Sequence, residues 1–336
     1  MLTFILLATA ALAPIEDKLQ VLTTTPELGD VASQIGGDRV EVTSLLKGPE
    51  DAHFVDAKPS FIKAANRADL FIVNGMSLEV GYAPLLVRDS RNAKIQPGAP
   101  GYVDASARIR KLELPTGVID RTMGDVHPDG NPHYMLDPMN GKVVAATIRD
   151  ALSAADPAHK AEFDARCAKL QRSIDEAMFG PKLLERFSAD ALSEALAQGT
   201  LEAFLKERGA LDDLGGWART MLPLSGKPFV SYHGGALTYF AHRFRLERVG
   251  ALEPKPGVIP SSAHLAEIIE AMKARGVKAV FYAAYNPLKP VEKVTSETGA
   301  AGLVFPHQVR ATPAAATYQK QMDALVQTVA SGLARP

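Results

Sequence analysis

The chain of 336 residues carries 37 Lys and Arg against 38 Asp and Glu, and 46% of it is hydrophobic. A formal net charge of −1 with a pI near 6.7 excludes a nucleic-acid binder that works through a basic surface, because no Lys/Arg stripe is present to neutralise phosphates. A mean hydropathy of −0.02 excludes a protein of many membrane spans, and the length suffices for a soluble protein with two separate cores.

From the N-terminus, Met1 to Ala13 is an apolar stretch ending Ala-Leu-Ala. It reads as a secretory signal, too short to span a bilayer, and so predicts an exported, periplasmic protein. A buried first strand is the competing reading. After Lys18 short apolar runs alternate with amphipathic segments: strands at 20–25, 40–46, 70–74 and 93–96, helices at 27–36, 59–68 and 138–154. Asp156-Pro157 opens a further helix to about Met178, with Phe163, Cys167, Leu170, Ile174 and Met178 at three- and four-residue spacing. Residues 181–227 are helical and of mixed charge, hold the only tryptophan, Trp217, and read as packing. The alternation then resumes, with strands at 229–232, 247–252, 279–282 and 303–305 and helices at 235–243, 262–275, 289–298 and 313–333.

The expected fold is therefore α/β: two lobes with mostly parallel sheets covered by helices, 18–155 and 228–336, joined by one long connecting helix at 156–180. In such folds functional groups gather beyond the carboxyl ends of the strands, here at the cleft between the lobes.

Cys167 is the single cysteine, which rules out an internal disulfide and a thiolate zinc knuckle, so any metal chemistry rests on imidazole and carboxylate. Residues 124–138, GDVHPDGNPHYMLDP, form a loop stiffened by Gly, Pro, Asn and Asp, and Asp137-Pro138 behind it reads as an N-cap with Pro in the first turn. Such a loop can hold an imidazole still. Of eight histidines, four fall in loops just past expected strands: His53, His133, His233 and His307, two from each lobe. Together they are competent to clamp a borderline cation such as zinc between the lobes. Taken singly, each is equally readable as a hydrogen-bonded bystander. His127 is a substitute ligand, a mouth residue or a loop stabiliser. His159, His242 and His264 lie in helices among charged neighbours and read as exposed or capping.

Several segments resemble the periplasmic solute-binding proteins of zinc and manganese ABC transporters. They are Ala65 to Gly75 with Ser77-Leu78-Glu79, Asn131-Pro132-His133 with Leu136-Asp137-Pro138, the helix after Pro157, His233-Gly234-Gly235-Ala236 with Tyr239-Phe240, Pro256-Gly257 with Pro260-Ser261, and Glu297-Thr298-Gly299. The resemblance implies a monomeric, non-enzymatic protein that binds a divalent metal at His53, His133, His233 and His307 and delivers it to a membrane ABC permease. Four features depart from the family pattern: His307 stands where members commonly carry Asp or Glu, a His-rich acidic loop is absent, 181–227 reads as an insertion, and Ala283-Ala284 stands where a Glu is common.

An all-imidazole site favours zinc (Zn2+) over manganese (Mn2+), with copper and nickel chemically allowed. Glu79, Asp125 and Asp129 are the expected acceptors for imidazole N–H groups. Two other functions compete. An exported zinc hydrolase would need an open ligand position and a base, and the sequence lacks a His-Glu-x-x-His helix or a nucleophile elbow. A metal-binding adhesin or metallochaperone would use the same site.

Overall fold

The computed structural model describes residues 18–116, 127–255 and 257–335, so the expected signal segment 1–13 and Asp125 lie outside the described residues. Strands β1 (Leu19–Thr23), β2 (Val40–Ser44), β3 (Leu70–Val73) and β4 (Tyr102–Asp104) form one sheet in the order β2-β1-β3-β4. Strands β5 (Pro228–Ser231), β6 (Glu247–Ala251), β7 (Ala279–Tyr282) and β8 (Ala301–Val304) form a second in the order β6-β5-β7-β8, the same topology repeated. Every pairing is parallel. The four residues of β3 are buried, as expected of a strand covered on both faces, which is why it reads as an unbroken apolar run.

Parallel strands need crossovers, and helices supply them. In the first lobe these are α1 (Pro26–Gly36), α2 (Pro59–Arg67) and α3 (Ala83–Ser90), each with Pro in its first turn. The segment expected as a strand at 93–96 is instead a 3-10 turn at Ala93–Ile95, because the Asn92 side chain accepts the Lys94 N–H and closes the chain on itself. The edge strand comes later, at β4, and its three residues are too few to show alternation.

Helix α4 (Pro138–Ala155) ends at Asp156, a 3-10 turn follows at Pro157–His159, and α5 (Lys160–Phe179) is the 20-residue connector. Phe163, Cys167, Leu170, Ile174 and Met178 are all buried on one stripe of α5, against α4, α1 and later helices. Burial of each such large side chain is worth about 2 kcal/mol. Next come α6 (Pro181–Leu184), α7 (Ala189–Gln198), α8 (Leu201–Glu207) and α9 (Gly216–Met221). Trp217 on α9 is buried and donates its indole N–H to Asp323 at 2.9 Å, tying this stretch to the final helix.

The second lobe adds α10 (Thr238–Phe244), α11 (Ser262–Arg275), α12 (Leu288–Thr298) and α13 (Tyr318–Leu333). Helix α13 starts five residues later than the expected 313, since Thr317 provides the cap by accepting the Lys320 N–H.

Candidate metal centre

All the chemistry sits on loops that leave the carboxyl ends of strands. Past β2, the Asp51 carboxylate accepts both the backbone N–H of His53, at 3.0 Å, and its ring Nδ1, at 2.7 Å. A carboxylate can only accept, so Nδ1 carries the proton and Nε2 bears the lone pair. That Nε2 is buried and has no hydrogen-bond partner among the described residues. Burial works to raise the Asp51 carboxyl, but the hydrogen bonds from His53 hold it below the usual carboxylate range. Gly48, at φ +88°, lets this loop lie directly on the Arg310 carbonyl of the other lobe, where any side chain would collide.

Past β4, Asn131 repeats the device. Its Oδ1 accepts the His133 backbone N–H at 2.8 Å and the ring Nδ1 at 2.9 Å. Its Nδ2 donates to Gly235 O and to Glu113, both at 2.8 Å, which fixes the amide orientation and hence the His133 tautomer with Nε2 free to ligate. The Asn74-Gly75 turn supports this loop from β3: Asn74 Nδ2 donates to the Pro132 carbonyl at 3.0 Å, and Tyr134 O–H donates to Asn74 O at 2.6 Å. Directly behind, the buried Asp137 caps α4 by accepting the Met139 N–H and pairs with Arg243 of the second lobe at 2.8 Å. Burial, reinforced by the surrounding histidines, pushes the His133 imidazole well below its ordinary pKa, so it stands neutral and able to ligate.

From the second lobe, His233 follows β5, and its Nδ1 donates to Glu253 at 3.0 Å. The ring centroids of His53 and His133 are 5.3 Å apart, those of His133 and His233 5.2 Å, and those of His53 and His233 5.9 Å. One ligand nitrogen from each of the three lies within 4.8 Å of the others. Of the four histidines expected from the sequence, the fold thus brings three into one group.

His307 stands beside it. It lines the same small cavity as His53 and His133, faces Tyr285 edge-on at 4.8 Å between ring centroids, and reaches Glu50 O through Nε2 at 3.4 Å. Its Nδ1 is buried and without a hydrogen-bond partner among the described residues, and burial pushes its pKa down to about 4. His127 packs near the group, 5.2 Å from the His53 ring.

Among the described residues the acceptors for the imidazole N–H groups of His53, His133 and His233 are Asp51, Asn131 and Glu253, not Glu79 or Asp129. Glu79 is buried and accepts the Thr24 hydroxyl and the N–H groups of Asn74 and Gly75, so it holds the Asn-Gly turn. Burial raises its pKa to about 7 despite these bonds. Asp129 accepts from the Ser77 hydroxyl. A local signal for two of the true acceptors exists: Asp51-Ala52-His53 and Asn131-Pro132-His133 share an Asx residue two positions before the histidine. Glu253, twenty residues beyond His233, leaves no such signal.

A family model described as zinc-uptake complex component A, periplasmic, matches residues 21–178 and 188–332. The chain belongs to this family. It is a family of exported metal solute-binding proteins rather than enzymes, with relatives named for both zinc and manganese. Most of the helical stretch read as an insertion falls within the second matched segment.

Among relatives, a manganese ABC transporter substrate-binding lipoprotein, PsaA of Streptococcus pneumoniae, is 29% identical over 48% of this chain and 49% of its own. The high-affinity zinc uptake system protein ZnuA of Brucella abortus is 30% identical over 50% of this chain and 39% of its own. The chain thus spans half or less of the length of these curated relatives. A crystal structure of ZnuA superposes with a TM-score of 0.69 at 21% identity, covering 95% of this chain and 100% of that one. The manganese-bound periplasmic metal-binding protein of Candidatus Liberibacter asiaticus gives 0.67 at 20% identity, covering 94% and 100%. These two establish the fold: two helix-covered parallel sheets with a long connecting helix. Among the described residues no helix is long and apolar enough to cross a membrane.

Proposed function

We propose that this protein captures a divalent transition metal, zinc first, between its lobes and passes it to an ABC permease. The ligands in this reading are Nε2 of His53, His133 and His233, with His307 Nδ1 as the fourth donor. The observation that carries it is the convergence of three imidazoles whose other nitrogens are each tied to an acceptor, so that every free lone pair is a ligating one.

Zinc–nitrogen bonds of about 2.0–2.1 Å set a tetrahedral edge of about 3.4 Å, so nitrogens within 4.8 Å reach ligating distance by contracting roughly an ångström. Asp51 and Glu253, each bonded to a ligand ring, place two carboxylates beside the ion and offset its double charge. Imidazole donors favour zinc over manganese, which prefers oxygen. Family membership supports the permease partner.

Metal-stripped protein titrated calorimetrically with Zn2+ and with Mn2+ tests this. One zinc per chain, bound more tightly than manganese and lost in His233→Ala, is expected. A chain that binds neither ion refutes the reading, and tighter manganese binding refutes the zinc assignment.

A further inference from the structure

A cavity of about 40 Å³ is lined by His53 and His133 together with His307, Tyr285 and Glu27. Glu27 sits in the first turn of α1 and is 6% exposed. One side of its carboxylate accepts the Val309 backbone N–H, two residues past His307. Its Oε2 is buried with no hydrogen-bond partner among the described residues, and so is Nδ1 of His307 from the opposite lobe. The Nε2 of His307 faces the Glu50 carbonyl, which can only accept, so its Nδ1 is also a base.

Two Lewis bases from different lobes therefore border one small cavity, and although the Thr25 hydroxyl lies beside Glu27, neither Oε2 of Glu27 nor Nδ1 of His307 has a hydrogen-bond partner among the described residues. A buried carboxylate oxygen without a partner costs free energy unless a cation or a donor arrives there. His53 and His133, two of the three grouped imidazoles, line the same cavity, and His233 completes their group, which puts a dication within reach.

We infer that Glu27 is a further metal-recognition residue of this site: its free oxygen supplies an anionic oxygen in the cavity lining, for the ion or for water the ion carries. This rests on the metal-capture reading above. A hard oxygen beside soft-leaning imidazoles also widens the range of cations the site accepts, helping manganese more than zinc.

The test is Glu27→Gln in the full chain, which keeps the acceptor for Val309 N–H and removes the charge. Metal-stripped wild type and variant are titrated with Zn2+ and Mn2+ in competition with a chelator, and the metal-free forms are melted. At least a tenfold loss of affinity is expected for both ions, larger for Mn2+, with the metal-free variant melting no lower than wild type. A variant that binds both ions within twofold of wild type overturns the inference, as does a metal-free variant that melts well below wild type, since the residue is then structural. Wild type that binds neither ion overturns the capture reading instead.

Discussion

Metal-free Glu27→Gln should be more stable than wild type, and only above a defined pH. Burial, the dominant influence on Glu27, raises its carboxyl from the usual 4.5 to about 7, although its backbone and side-chain hydrogen bonds pull the other way. Between those values the folded chain holds a proton that the unfolded chain has released, so stability falls as pH rises through the window. At 1.36 kcal/mol per pH unit, the gap between 4.5 and about 7 is worth about 3 kcal/mol once both states are ionised. Glutamine mimics the protonated acid and escapes this cost. Glu79, raised in the same way, is present in both proteins, and because its charge is the smallest of the influences on Glu27 most of its own contribution cancels in the difference. The assay is urea denaturation of chelator-treated wild type and variant across about pH 4 to 8, reading the difference in unfolding free energy. The difference should be near zero at the acid end, grow through the window and level off at about 3 kcal/mol. A variant less stable at the alkaline end, or a difference that ignores pH, would refute the claim that Glu27 is an uncompensated buried carboxylate. Saturating zinc should shrink the gap, because the ion then compensates the charge.

Three further outcomes follow from the same geometry. Asp51→Asn keeps an acceptor for His53 Nδ1–H but removes the charge, so metal affinity should fall about 10–100-fold in chelator competition; unchanged affinity would contradict the role given to Asp51. Affinity should fall as pH drops, and the contribution of His133 and His307 to that fall should come below the ordinary imidazole range, near 4 for His307, where protons finally compete with the ion. Equilibrium dialysis down to about pH 4 reads this, and constant affinity over the whole range would exclude imidazole ligation. Arg243→Ala strands the buried Asp137 carboxylate and should cost about 3 kcal/mol, read as a lowered melting temperature with the helical circular-dichroism signal retained.

The sheets were legible in the sequence because parallel strands buried on both faces leave continuous apolar runs, as β3 does, and because the three first-lobe helices carry Pro in their first turn. The edge strand β4 was not, since three residues carry no period. The stripe of α5 was read residue by residue, because 3.6-fold spacing and burial are the same fact seen from sequence and from structure. At the site, loop position after a strand identified the histidines but not which nitrogens converge. That depends on how the lobes dock. Asp51 and Asn131 were readable in principle from Asx spacing, whereas Glu253 and Glu27 come from other elements and are placed only by tertiary contact.

That docking also bears on how the ion is taken up. Polar ties cross between the lobes on several sides of the imidazoles: Gln308 donates to the carbonyls of Gly48 and Glu50, Asn131 to Gly235 O, Tyr239 O–H accepts the Leu112 N–H, and Arg243 pairs with Asp137. A wide hinge motion would have to break these together, against a connector that buries five side chains along its length. In the proposed site the nitrogens of His53, His133 and His233 already stand within 4.8 Å of one another, so bringing these three onto an ion needs local contraction rather than lobe closure. Preorganisation of this kind favours tight binding because little ordering remains to be done when the ion arrives. It also makes release the hard step. The ties at Gly48, Glu50 and Gly235 lie on the very loops that carry His53 and His233, so a partner that loosened either loop would weaken the metal site and the lobe contact in one movement.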